Sequence, residues 1–87
     1  MALVKKSLVV KNKQGLHARP AALFVQIANK FDARITVKRD AEEVNGKSIM
    51  GILMLGAEQG SLIVLEADGE DAGRAVEELE KIITSEE

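Results

Sequence analysis

With 87 residues, the chain has room for one domain, 1–87, and a modest core, so any chemistry is expected at its surface. Its 12 Lys and Arg against 14 Asp and Glu give a net charge of −2, and two Phe are its only aromatics, which argues against nucleic acid as the main partner. Without Cys there is neither a disulfide scaffold nor a thiolate metal site, and a single His builds no zinc cluster, so no metal and no cofactor is expected.

No apolar run is long enough to span a bilayer, and the start, Met-Ala-Leu-Val-Lys-Lys, lacks the basic-then-apolar order of a signal peptide. A cytoplasmic protein without membrane insertion is expected. Along the chain, residues 4–10 read as a strand, with Val4, Leu8 and Val10 on one face and Lys5, Ser7 and Lys11 on the other. A polar loop, 12–15, follows. Residues 18–30 read as a helix whose Ala18, Ala21, Ala22, Val25 and Ala28 recur at helical spacing. Residues 33–38 read as a second strand, 40–43 as a turn, and a short strand lies around Val44. Ser48 then caps a short apolar helix over 49–55, which Gly56 ends at C′. Residues 62–67 read as the last strand, and 68–71 as an acidic helix start. The final helix sets Ala72, Ala75, Val76, Leu79, Ile82 and Ile83 on one stripe, with Glu77, Glu78, Glu80 and Lys81 facing water. The order is β-α-β-β-α-β-α. It implies an α+β open-faced β-sandwich: a four-stranded antiparallel sheet covered on one face by two long helices and one short helix.

The sole His and the sole Pro stand together in Gly15-Leu16-His17-Ala18-Arg19-Pro20, where the first helix begins. With His17 as N-cap, the helix dipole and the unpartnered first amides disfavour an imidazolium and stabilise an attached anion. Ala18 and Arg19 supply those amides, Arg19 adds a guanidinium that pairs with phosphate oxygens, and Pro20 stiffens the turn. The expected chemistry is attack of a neutral ring on a donor phosphoryl group and onward transfer. By position alone, a His here also serves as a plain cap or a solvated side chain, and the residues leave that open.

Gly15-Leu16-His17-Ala18-Arg19-Pro20 resembles the active-site signature of HPr, the histidine-containing phosphocarrier family of the bacterial sugar phosphotransferase system. A second string, Asn45-Gly46-Lys47-Ser48-Ile49-Met50-Gly51, resembles that family's regulatory serine segment. Spacing, length and element order agree across essentially the whole chain. The resemblance implies that His17 carries the phosphoryl group on Nδ1 and that Arg19 contacts it. It implies that the group comes from phosphoenolpyruvate through enzyme I and leaves to enzyme IIA of sugar transporters. It further implies phosphorylation of Ser48 by an ATP-dependent HPr kinase/phosphatase, with a transcriptional regulator as a further partner. Asp40-Ala41 departs from the family's more usual Gly-containing turn, and 12–14 is more basic than in many relatives.

The short helix is apolar nearly all round, more than a core-facing stripe needs. Ile52 and Leu55 are assigned to the core. Ile49, Met50 and Leu53 are expected to form an exposed docking patch, flanked by Leu16, Gln26 and Lys47. The protein is expected to be a monomer. Two other readings share these residues: a carrier in a nitrogen-linked phosphotransfer branch, and a regulatory interaction protein read out through Ser48 alone. A relative of the latter kind is expected to lack the His. A small-molecule binding domain would need a pocket that this pattern does not announce.

Overall fold

The structure, a computed structural model, describes residues 2–86. In chain order its elements are β1 (Ala2–Val9), α1 (Ala18–Ala28), β2 (Arg34–Arg39), β3 (Glu42–Asn45), α2 (Ile49–Leu55), β4 (Leu62–Gly69) and α3 (Ala72–Ile83). The strands form one antiparallel sheet in the order β1-β4-β2-β3. Alternation assigns its two faces. Leu8, Ile35, Val37, Ile63, Leu65 and Ala67 are buried under the helices, while Lys5, Ser7, Val9 and Leu62 point to solvent. α3 lies on β1 and β4, α2 on β3 and β2, and α1 packs against α2 and α3. The expected open-faced α+β architecture is therefore the observed one. No helix of the described residues is long and apolar enough to cross a membrane.

The expected elements are all present, and their edges shift for physical reasons. β1 begins at Ala2 and ends at Val9, because Ala2 pairs with Gly69 and Val9 with Leu62. α1 ends at Ala28 instead of Lys30: the Asn29 amide still reaches the Val25 carbonyl at 3.0 Å, but the Lys30 and Phe31 amides bond Ile27 and Ala28, three residues back, which tightens the last turn. The turn expected over 40–43 is tighter: Asp40 and Ala41 alone link Arg39 to its cross-strand partner Glu42. Without a Gly, Asp40 itself takes a left-handed φ of 54°.

The stripe of α1 is also different. Ala18 and Ala22 are exposed, and the buried face is Ala21, Phe24 and Ala28. Phe24 is fully enclosed, and its area outweighs that of any alanine. α3 buries every residue of its expected stripe.

The acidic start of α3 is the largest revision. Asp68 and Gly69 remain in β4, and only Asp71 reaches the helix, as its N-cap residue. The Asp71 carboxylate does not cap its own helix. It accepts from the amides of Asp32 and Ala33, both at 2.9 Å, and so ties the α1–β2 connection to α3. The Asp32 amide foremost, with Ala33's, holds this carboxyl below its ordinary value of 3.8. Glu66, bonded to Lys38 at 2.6 Å on the open face, is likewise held below its ordinary 4.5 by that ammonium. Both carboxyls are more acidic folded than unfolded. Their contributions are therefore present above the unfolded values and lost as pH falls through the folded ones. We expect the urea midpoint to fall as pH drops below about 4.5, and Asp71→Ala to flatten part of that fall. An identical pH profile in the variant would refute the assignment to Asp71.

Candidate functional site

His17 is the N-cap residue of α1, with φ −96° and ψ −163°. Its carbonyl accepts the Ala21 amide at 2.8 Å, starting the helix, while its side chain makes no capping hydrogen bond and is exposed. The ring is thus free for chemistry. The amides of Ala18 and Arg19 lie ahead of the first helical hydrogen bond, and Pro20 has none. Arg19, two residues after His17, is exposed and borders a surface groove of about 490 Å³, together with Lys13, Gln14, Pro20, Leu23 and Ile82. Two cations, Lys13 and Arg19, and the apolar Pro20, Leu23 and Ile82 line this groove.

The loop before His17 is fixed from behind. Gly15 has φ 70°, and a Cβ on it would stand 2.4 Å from the Ala57 carbonyl oxygen. The Leu16 amide donates to that same oxygen at 2.8 Å. The glycine therefore serves a close approach to the backbone that follows α2, in addition to its turn. Leu16 is only 1% exposed, so the side chain expected at the docking surface belongs to the core instead.

α2 runs back along α1. Its C-terminal end meets the loop before His17, through Ala57. Its N-terminal end meets the far end of α1, where the Asn29 side chain donates to the Lys47 carbonyl at 3.2 Å. The Lys47 ammonium donates to the Phe31 carbonyl at 2.6 Å and adds to the field that lowers Asp71. Lys47 is thus half-buried at the end of α1 remote from His17, and its charge is committed within the fold. Gln26 is exposed, also in the C-terminal half of α1.

Ser48 caps α2: its Oγ accepts the Gly51 amide at 3.1 Å, and Gly56 closes the other end with φ 62°. Ser48→Ala should cost about 1 kcal/mol, lowering the melting temperature by about 4–8 °C. An unchanged melting temperature would show the cap to be inert. Along the same helix Ile52 and Leu55 are buried, while Ile49 (37%), Met50 (63%), Leu53 (41%) and Met54 (72%) stay exposed. Met54 extends this apolar surface beyond the residues singled out in the sequence, and the exposed Leu23 on α1 adds an apolar side chain to the groove that Arg19 borders. The signal for each was present. Met54 stands four residues from Met50, and Leu23 four from Arg19, on the same helical face as its predecessor.

A family model described as the PTS HPr component phosphorylation site matches residues 4–85. The chain belongs to the HPr family. It is 48% identical, over 97% of its length and 100% of the relative's, to the HPr-like protein Crh of Halalkalibacterium halodurans. It superposes on the crystal structure of the phosphocarrier protein HPr from Bacillus anthracis with a TM-score of 0.91 and 48% identity, covering 95% of this chain and 99% of that one. An HPr from Thermoanaerobacter tengcongensis, described as a dimer, aligns with a TM-score of 0.75 and 54% identity over 87% of each chain. The HPr fold places the sole His at a free helix start, and it sets the apolar side of α2 beside α1.

Proposed function

We propose that the chain is a cytoplasmic phosphoryl carrier. It accepts the group on His17 from phospho-enzyme I, charged by phosphoenolpyruvate, and passes it to enzyme IIA domains of sugar transporters. The observation that carries this reading is an exposed imidazole that makes no capping hydrogen bond, at the start of α1 two residues before Arg19, in a chain of the HPr family. A ring nitrogen attacks phosphorus as the bond to the donor breaks, giving a phosphohistidine. An acceptor nucleophile on enzyme IIA then attacks the same phosphorus as the N–P bond breaks, which frees the imidazole. The amides of Ala18 and Arg19 and the Arg19 guanidinium face the negative oxygens. The chain is a covalent intermediate in a relay, acting as a single domain and a monomer, and it turns over no substrate of its own.

Incubation with enzyme I and phosphoenolpyruvate, read by intact mass and phosphorus NMR, tests the reading. A single acid-labile phosphate is expected. None on this chain, while a known HPr is charged in parallel, would overturn it. Sedimentation velocity of the same sample tests the monomer against the dimer form described for a relative.

Docking is assigned to Ile49, Met50 and Leu53, with Gln26 beside them. Met50→Asp should raise the KM for enzyme I severalfold with a stability change within about 0.5 kcal/mol, because Met50 is 63% exposed. Unaltered transfer kinetics would remove the patch from the docking surface. Ser48 is assigned as the regulatory phosphorylation site for an HPr kinase/phosphatase, read also by a transcriptional regulator. A purely regulatory role through Ser48 is the second reading, favoured by the 48% identity to a relative named HPr-like. The imidazole at position 17 weighs against it.

A further inference from the structure

We propose that Arg39 is a positioning residue for His17, acting by clamping the C-terminal end of α2, which in turn holds the loop that presents the imidazole. Its kinetic consequence rests on the phosphocarrier reading; its structural consequence does not.

Arg39 is the last residue of β2 and is half-buried. Its Nη1 donates to the carbonyl of Leu55 at 3.1 Å and to that of Gly56 at 3.2 Å. α2 has only 7 residues, so most of its carbonyls fall in the last four, which no helical amide can reach. The Gly56 amide returns to Leu53 at 3.2 Å and satisfies one of them. The guanidinium takes the carbonyl of the last helical residue, Leu55, and that of the C-cap residue Gly56, and its charge opposes the negative end of the helix. Among the described residues Arg39 makes no ion pair, although Asp40 and Glu42 share its hairpin. Both of its hydrogen bonds are spent on α2.

The residue after the clamped Gly56 is Ala57, which is fully buried. Its carbonyl receives the Leu16 amide at 2.8 Å and leaves no room for a Cβ on Gly15. Leu16, itself buried, is followed directly by His17. A short, unbroken path thus joins the β2–β3 hairpin to the imidazole through Gly56, Ala57 and Leu16. Each step is a hydrogen bond, a covalent neighbour or a contact with no spare volume. Loosening the α2 end frees the loop that orients the ring. Phosphoryl transfer depends on such positioning, while docking uses the outer face of α2, which Arg39 does not touch.

The test compares the full chain with Arg39→Ala and Arg39→Lys. In Arg39→Ala, NMR hydrogen exchange at the Leu16 amide should be about tenfold faster, with the core amides of Ile63 and Leu65 far less affected. The kcat for charging of His17 by phospho-enzyme I should fall about tenfold, with KM within about twofold. Arg39→Lys keeps a charged donor and should restore most of both. Wild-type exchange at Leu16 in Arg39→Ala would overturn the clamp, as would equal acceleration at Leu16, Ile63 and Leu65. If the wild type takes up no phosphate at all, the phosphocarrier reading falls, and the exchange measurements still decide the clamp.

Discussion

We expect the His17→Ala variant to take up no acid-labile phosphate from enzyme I and phosphoenolpyruvate while keeping the melting temperature of the wild type. The two halves of that expectation have separate causes. The imidazole is exposed and makes no capping hydrogen bond, so its removal strands no partner and opens no cavity. Its backbone carbonyl, which starts α1 by accepting from Ala21, survives the substitution. The chemistry has no such reserve. No other His exists to take the group, and no Cys offers a substitute nucleophile. Acceptance should therefore fall to background, not by a modest factor. Residual phosphate that survives acid in the variant would point to a hydroxyl, with Ser48 the first to examine. Acid-labile phosphate undiminished in the variant would place the carrier function elsewhere.

What could be read in the sequence is what local physics decides. The stripe of α3 and both caps of α2 depend on residues within one or two turns of each other, and Ala75, Leu79, Ser48 and Gly56 stand where the pattern put them. α1 was harder because alanine buries too little area to mark a face. Ala18 and Ala22 fit the helical period yet are exposed, and Phe24, off that reading, fixes the orientation. Partners distant in sequence account for the rest. Leu16 stands next to His17 in the chain, but the turn at Gly15 and the Ala57 carbonyl send it inward. Asp71 reads as the acidic first turn of a helix until the amides of Asp32 and Ala33 claim it. Lys47 reads as a charge flanking the docking patch until the Phe31 carbonyl takes its ammonium.

The antiparallel run of α1 and α2 also constrains how a phosphate on Ser48 could act. α1 has 11 residues, a length of about 16 Å at 1.5 Å per residue. Ser48 adjoins one end of it, and His17 begins the other. Screening at ordinary ionic strength weakens surface charge interactions beyond about 10 Å. A phosphate at Ser48 therefore has its strongest effect on Ile49 and Met50, the adjacent exposed residues of the apolar patch, and a weak direct effect on the ring. If Ser48 is phosphorylated as proposed, the expected effect is on partner docking, with KM raised more than kcat is lowered.

Gly15→Ala should be the most damaging single-methyl change near the site. Its Cβ would stand 2.4 Å from the Ala57 oxygen and 2.8 Å from the Glu58 Cα, both backbone atoms that no rotamer change can move aside. The left-handed φ of 70° adds about 1–2 kcal/mol for an L side chain, and the forced displacement about 1–3 kcal/mol more. Gly60 separates the two contributions, because its φ is 91° while nothing lies within 4 Å of a Cβ there. Gly60→Ala should show the conformational cost alone. If the two variants lose equal stability in urea, the contact with Ala57 carries no energy. If Gly15→Ala loses more, as the 2.4 Å approach requires, the strain falls on the Leu16–Ala57 hydrogen bond that seats His17. Charging by enzyme I should then slow in Gly15→Ala and not in Gly60→Ala, at a temperature where both remain folded.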